Sequence, residues 1–159
     1  MPGDPDWVAL GQPQNLVFAG SQDRQIHVVP SPHYARGRFA TLWGWAQPTG
    51  RQNPVLNEFV CKTGQTTSST CWNVANINVS IPQNPPVYPS AMNNLFEGNN
   101  LGGPTYVSCA GGDSGGPIWN GNVRAVGIVH GASGNAGLPH VCIGAKILAQ
   151  IPNGWEIGT

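Results

Sequence analysis

The chain has 159 residues, of which 40% are hydrophobic and only 9% are charged, and its formal net charge is zero. This length suffices for one domain with a core, and the balanced charge gives no electrostatic basis for binding nucleic acid or an anionic membrane. No apolar stretch approaches the ~18 residues of a transmembrane helix, and the 22 glycines and 15 prolines are typical of short strands joined by turns.

The first part of the chain predicts loop and then strands. Residues 1–13 are rich in Pro, Gly and Asp and are expected to be loop. Strand character follows at Asn15–Phe18, Gln25–Val29 and Arg38–Ala46. Alternation in the third strand predicts that Trp43 and Trp45 share a face and lie in the core or at a barrel interface.

The rest of the chain predicts further strands and one short helix. The strands are Val55–Cys61, Cys71–Ile81, Ala91–Glu97, Arg124–His130 and His140–Ile143. Ala145–Ile151 fits two turns of helix and is followed by Pro152, which ends it. Many short strands without an internal repeat indicate an all-β protein.

The stretch Cys109-Ala-Gly-Gly-Asp-Ser-Gly-Gly-Pro117 contains a candidate nucleophile, Ser114. A Ser hydroxyl attacks a carbonyl only when it is exposed, held in place and deprotonated by a base. Glycines let the backbone bend so that successive amides point to one spot, and the amides of Gly112 and Ser114 would then stabilise an oxyanion. The alternative is a Gly-rich hairpin loop with an incidental Ser, which a bare Gly-x-Ser would favour but the full run does not.

This run resembles the active-site motif of chymotrypsin-like serine peptidases. A second pattern, Cys61-Lys-Thr-Gly-x-Thr-Thr-x-x-x-Cys71, is similar to the small disulfide loop of the bacterial α-lytic protease and streptogrisin branch. The resemblance implies an all-β fold with an antiparallel six-stranded Greek-key barrel and a short C-terminal helix. It also implies serine endopeptidase chemistry through an acyl-enzyme, with a peptide or protein substrate and no cofactor or metal.

The four cysteines allow three pairings. Cys61 and Cys71 close a local loop, which leaves Cys109 and Cys142, and the resemblance implies the same pairing. Metal binding is the alternative, but no Cys-x-x-Cys or suitably spaced Cys/His pair suggests zinc. Disulfides indicate an oxidising compartment, so we expect a secreted protein, although the first residues lack the features of a signal peptide.

The triad acid and base are predicted from the resemblance. The run Gly20-Ser-Gln-Asp23-Arg24 resembles the stretch that carries the triad Asp, so Asp23 is the predicted acid, with an ordinary turn residue as the alternative. The family's His motif is absent, because no His precedes His27. We therefore expect the base in a segment upstream of Met1, and the isolated chain to be inactive or very weak.

The four histidines of the chain are alternative sources of the base. His33 lies in a Pro-flanked turn and is expected to be solvated, and His140 is expected to line the pocket or the surface. His27 lies four residues beyond Asp23 on one strand, about 13 Å away, which is too far to be oriented by it. His130 takes the place of a family Ser that hydrogen-bonds the triad Asp. It is expected to be half-buried and bonded to Asp23, with surrogate base or contact to an acidic substrate side chain as the alternatives.

Asp113 needs a partner because a buried carboxylate is costly when unpaired. In the α-lytic branch a basic residue just after the first Cys of the small loop pairs with this Asp, and Lys62 occupies that position. The resemblance therefore implies a Lys62–Asp113 ion pair that supports the oxyanion turn. Lys lacks the bidentate geometry of Arg.

The resemblance also places the substrate site and divides the chain. Substrate-binding residues are expected at Ser108, Ala110, Gly111, His130, Gly131 and Ala132, with small or apolar substrate side chains in the pocket. Residues 1–34 are predicted to be a remnant of the first barrel carrying Asp23, and residues 35–159 to be the complete second barrel. The alternative function is a non-catalytic, protease-derived binding module.

Overall fold

A computed structural model describes residues 13–19, 22–27, 38–41, 43–84, 90–99, 107–133 and 141–151, with only the backbone of the first two ranges. Within these residues the chain is mainly β-strand, with one short helix. The elements in chain order are β1 Pro13–Ala19, β2 Gln22–His27, β3 Phe39–Thr41, β4 Gly44–Ala46, β5 Phe59–Gly64, β6 Ser68–Ile81, β7 Met92–Gly98, β8 Pro117–Asn120, β9 Ala125–Ser133, β10 Val141–Lys146 and α1 Ile147–Gln150.

Six of the strands form a closed antiparallel barrel. Their order around the ring is β10-β7-β6-β5-β8-β9, so two three-strand meanders are joined by the β5–β8 and β7–β10 pairs. The chain leaves β7 and returns to pair β8 with β5, which gives a Greek-key connection. The prediction of an all-β six-stranded barrel with a short C-terminal helix is confirmed.

Alternation along the strands fills the barrel with apolar side chains. In β6, Trp72 and Val74 are fully buried, and their sequence neighbours point outward. The main core cluster consists of Val60, Trp72, Val74, Phe96, Cys109, Ile118, Val126, Val129 and Cys142. A second cluster around Met92 and Leu95 fills the end near β10. No helix in the described part of the chain is both long and apolar enough to cross a membrane.

Two strand hairpins lie outside the barrel. The first pairs β1 with β2, and Phe18 faces Asp23 across it. The predicted strand Gln25–Val29 overlaps β2, but its last two residues lie outside the described residues. Strand β2 contacts the C-terminal helix α1. The division into a first-barrel remnant, residues 1–34, and a second barrel stays a prediction.

The second hairpin corrects the placement of two tryptophans. The predicted strand Arg38–Ala46 is two strands joined by a turn, and Phe39 pairs with Ala46 while Ala40 pairs with Trp45. Phe39 contacts the ring of Trp119, with 5.1 Å between centroids. Cross-strand partners share a face, so Trp45 lies on the face opposite to Phe39. Trp43 and Trp45 are 82% and 76% exposed, so the prediction that they lie in the core was wrong, whereas the alternative of a barrel interface stays a prediction.

Two predicted element boundaries also move, for local reasons. Val55–Asn57 forms a turn before β5, because Asn57 has φ 64° and the Val55 amide donates to Glu58 Oε2 at 3.0 Å. The predicted helix begins two residues later than Ala145, because Ala145 pairs with both β7 and β9 and is fully buried. Barrel pairing there prevails over helix propensity.

Candidate active site

Ser114 lies at the tip of a tight turn between the cysteine bridge and β8. Gly112 and Gly115 have φ values of 98° and 83°, which an L side chain rarely adopts. The Asp113 amide donates to Ala110 O at 3.1 Å, and the Gly116 amide donates to Asp113 O at 3.0 Å. The glycines thus allow two consecutive turns that leave Ser114 exposed between them.

Strand β9 holds the far side of this turn. The Gly115 amide donates to Val129 O, and the Val129 amide donates to Gly116 O, both at 2.8 Å. The Ser114 hydroxyl lies 3.4 Å from His130 O. The nucleophile candidate is therefore fixed against the main chain of β9, next to His130.

The Asp113 carboxylate clamps the turn from inside. Its side chain and that of Lys62 are fully buried, and Lys62 Nζ lies 3.0 Å from Oδ2. Oδ1 accepts the amides of Thr66 and Thr67 at 2.8 and 3.0 Å. Oδ2 also accepts the Thr67 hydroxyl at 2.6 Å and the Ala110 amide at 3.0 Å. The predicted Lys62–Asp113 ion pair is confirmed, within a larger set of donors than was predicted.

Burial and hydrogen bonds together set the charge state of the Asp113–Lys62 pair. Burial alone would raise the pKa of Asp113, but hydrogen bonds from Thr67, Lys62 and Ala110 outweigh it and hold that pKa well below its ordinary value. Burial lowers the pKa of Lys62, while the hydrogen bond and charge of Asp113 offset part of that decrease. Asp113 is thus an anion at neutral pH, and its contribution is to support the turn.

The small loop supplies residues that sequence reasoning missed. Thr66 and Thr67 bind Asp113, the Thr66 hydroxyl donates to Gly111 O at 2.6 Å, and Lys62 Nζ donates to the Thr67 hydroxyl and to Ser68 O. A Cβ on Gly112 would overlap Thr66 Oγ1. The hydroxyl-rich sequence between Cys61 and Cys71 was the available signal, because such side chains hydrogen-bond main-chain groups of turns.

The amides of Gly112 and Ser114 are in position to receive a ligand. Within the described residues, neither amide donates a hydrogen bond, whereas those of Asp113, Gly115 and Gly116 all do. Preorganised amides next to a nucleophile stabilise the oxyanion of a tetrahedral intermediate.

Both predicted disulfides are present. Cys61 is bonded to Cys71, its direct partner across β5 and β6, and Cys109 is bonded to Cys142 on β10. The first bridge joins β5 to β6, the two strands that lead into and out of the small loop, and the second joins the segment before Ser114 to β10. Among the described residues, no group of three or more His, Cys, Asp or Glu side chains is arranged to hold a metal ion.

His130 occupies a bulge in β9. Register shifts there, since Gly131 pairs with Ile143 and Val129 pairs with the next residue, Gly144. The side chain is buried, only 7% exposed, which is deeper than predicted. The structure places the backbone of Asp23 and His27 on β2. Their side chains, and hence the predicted contact of His130 with Asp23, lie outside what the structure describes.

The predicted substrate residues lie in the segment before Ser114 and on β9. Strand β8 pairs with β9 no further than Ile128, and among the described residues Gly131–Ser133 pair with β10. Gly111 and Ala132 are exposed, Ala110 and Gly131 are partly buried, and Ser108 is fully buried. The main-chain oxygen of His130 contacts the Ser114 hydroxyl, Ser108 lies below the surface, and the role of these residues in substrate binding stays a prediction.

This architecture is similar to that of bacterial serine proteases. Cellulomonas bogoriensis chymotrypsin matches with a TM-score of 0.61 and 23% identity, over 80% of this chain and 63% of that one. A glutamic acid-specific serine protease described as using a histidine triad in substrate binding matches with a TM-score of 0.64 and 23% identity, over 80% and 63%. The α-lytic protease homologue N4 matches with a TM-score of 0.61 and 24% identity, over 81% and 62%.

The chain therefore has the chymotrypsin-like fold, and it spans somewhat less than two thirds of the length of these solved structures. No protein-family model matches it, and no curated protein matches its sequence.

Proposed function

We propose that this chain carries the nucleophile half of a serine endopeptidase, which cleaves peptide bonds through an acyl-enzyme. The observation that carries the proposal is the Ser114 turn, in which a fully buried Asp113–Lys62 pair holds an exposed hydroxyl beside two amides with no acceptor in the described structure. The likeness to solved serine proteases supports the same reaction.

Each group has a role in this reaction. Ser114 Oγ attacks the carbonyl carbon, the scissile C–N bond breaks, and an ester to Ser114 forms, which water then hydrolyses. The Gly112 and Ser114 amides stabilise the oxyanion of each tetrahedral intermediate. Asp23 orients the imidazole that takes the Ser114 proton and returns it to the leaving amine.

The imidazole is proposed to come from outside these 159 residues. The sequence has no His before Asp23, and the Ser114 hydroxyl contacts the main-chain oxygen of His130. Among the described residues, the Ser114 hydroxyl has the main-chain oxygen of His130 as its hydrogen-bond partner and makes no hydrogen bond to a side-chain base. Alone, the chain is expected to be inactive or very weak. A secreted location is proposed because two disulfides suit an oxidising compartment.

The hydrogen bond between the Ser114 hydroxyl and His130 O also favours a second candidate function. This is a non-catalytic binding module that retains Ser114 without a base. Fluorophosphonate labelling of the purified chain, read by intact mass, separates the two. In this reaction a bond forms between Ser114 Oγ and phosphorus, fluoride leaves, and the hydroxyl proton passes to a base. Ser114→Ala is the control that identifies the labelled residue.

Labelling that appears only after a His-bearing N-terminal segment is added would support the endopeptidase. Labelling of the chain alone would indicate an internal base, and its loss in His130→Ala but not His27→Ala would identify His130. No labelling of Ser114 under either condition would favour the binding module.

A further inference from the structure

The peptide bond between Gly111 and Gly112 carries one of the two amides of the proposed oxyanion site. It joins two exposed glycines, and a Cβ added to Gly111 would meet nothing within 4 Å. Because neither residue has a side chain, sterics do little to limit rotation of this peptide group. The group is planar and trans, so its C=O and N–H point in opposite directions. Whatever holds the Gly111 oxygen therefore also sets the direction of the Gly112 amide.

A side chain of the small loop holds that oxygen. The Thr66 hydroxyl donates to Gly111 O at 2.6 Å. The Thr66 amide donates to Asp113 Oδ1 at 2.8 Å, so the buried carboxylate fixes the main chain of the residue that carries this hydroxyl. Gly112 leaves room for the contact, since a Cβ there would overlap Thr66 Oγ1. The small loop thus reaches the oxyanion site through one hydroxyl group.

The Ser114 amide, the second one of the oxyanion site, is held differently. It belongs to the peptide group after Asp113, whose oxygen accepts the Gly116 amide at 3.0 Å. That hydrogen bond joins main-chain groups of one turn and requires no side chain. Of the two oxyanion peptide groups, the one ending at Gly112 therefore depends on a distant side chain, which lies 45 positions earlier in the sequence.

We propose that Thr66 is a positioning residue for the oxyanion site, because its hydroxyl orients and polarises the peptide group that carries the Gly112 amide. A hydrogen bond to the carbonyl oxygen increases the polarity of the whole peptide group, so the N–H on its other side becomes a stronger donor. The effect of Thr66 on reaction rate rests on the proposed function. The direction of the Gly112 amide does not, and it is measured without catalysis.

The direction of the Gly112 N–H bond tests the positioning. Residual dipolar couplings of the 15N-labelled chain, weakly aligned in solution, report the direction of each N–H bond. Thr66→Val removes the hydroxyl at nearly constant shape, so the Gly112 coupling should change while the Ser114 coupling stays as in the unmodified chain. Thr66→Ser keeps a hydroxyl and should leave both couplings unchanged.

Thr63→Val is the matched control for loss of a threonine hydroxyl. The Thr63 hydroxyl lies 2.9 Å from Ser69 Oγ, its partner across β5 and β6, so this variant should change neither coupling. An unchanged Gly112 coupling in Thr66→Val would overturn the proposal. A change at Ser114 as large as that at Gly112 would overturn it too, because it would show a general loosening of the turn. If Thr66→Val does not fold, Thr66→Ala is measured in its place.

Fluorophosphonate labelling of Ser114 tests the effect on rate, under whichever condition labels the unmodified chain. Removing an oxyanion-hole donor lowers kcat by about 10²–10³-fold. Thr66→Val should slow labelling less, by about 10- to 100-fold, because the Gly112 amide remains, and Thr66→Ser should restore the rate. An undiminished rate in Thr66→Val would overturn the proposal. Absence of labelling in the unmodified chain under every condition would instead count against the endopeptidase, and the couplings would then decide the role of Thr66.

Discussion

At the scale of single residues, Asp113 links the Ser114 turn to the small loop. One carboxylate satisfies the amides of Thr66, Thr67 and Ala110 as well as Lys62. The charge is fully buried, so each of these contacts compensates for part of the cost of desolvation. The ionised form is preferred in the folded state, and this has consequences for both stability and pH dependence.

Lys62→Met should destabilise the fold by about 3–5 kcal/mol, because it leaves the buried Asp113 charge without its cation. Urea unfolding measures the change. Lys146→Met is the matched control, because Lys146 is also buried but among the described residues has Asn94 as its partner and no carboxylate. Burial lowers the pKa of Lys146, so its removal should cost less than about 1 kcal/mol. Similar costs for both variants would show that the ion pair has no special role.

Acidification should destabilise the chain partly through Asp113. Its pKa is lowered in the folded state, so below about pH 4 the unfolded state binds more protons than the folded state. The stabilisation is complete above about pH 5 and is lost as the pH falls. In Asp113→Asn the free energy of unfolding should therefore fall less steeply between pH 4 and pH 2. A slope equal to that of the unmodified chain, in a variant that is folded at pH 6, would contradict this.

At the scale of elements, the serine turn, the small loop and β9 form one unit. The small loop reaches the turn through Thr66 and Thr67, and β9 reaches it through Val129. Neither neighbour is adjacent to Ser114 in sequence. The glycines matter where these elements approach closely, and Gly112 is the clearest case.

Gly112→Ala should cost about 1–3 kcal/mol, because φ is 98° and the new Cβ would overlap Thr66 Oγ1. The control is Gly121→Ala, in a turn where the added Cβ meets nothing within 4 Å. That change should be neutral or stabilising by about 0.4–1 kcal/mol through the unfolded state. Urea unfolding compares the two, and equal effects would refute the conformational requirement at Gly112.

At the scale of the whole molecule, the tryptophans distinguish the barrel core from its surroundings. Trp72 is fully buried at the centre of the barrel, whereas Trp43 and Trp45 project from the β3–β4 hairpin. Trp72→Ala should destabilise the fold by about 3–5 kcal/mol. Trp43→Ser and Trp45→Ser should each stay within about 0.5 kcal/mol of the unmodified chain. A large loss from either hairpin substitution would show that the hairpin packs against the folded chain in solution.

The sequence by itself determined the barrel, the two disulfides, the serine turn and the Lys62–Asp113 pair. Local patterns, namely strand alternation, the cysteine count and a Gly-rich motif, indicated an all-β protein with disulfides and a serine turn. The resemblance to a known family implied the six-stranded barrel and linked Lys62 to Asp113 across 51 positions. Local patterns can be interpreted from sequence because they depend on residues that are close together along the chain.

Only the tertiary structure decided where the side chains between these motifs go. The threonines that bind Asp113 and the bulge at His130 depend on contacts between distant segments of the chain. The exposed tryptophans show the same limit, because a two-residue turn reversed the face that alternation had assigned to Trp45. The alternating pattern assigns side chains to the two faces of a strand, but the pairing of strands determines which face is buried.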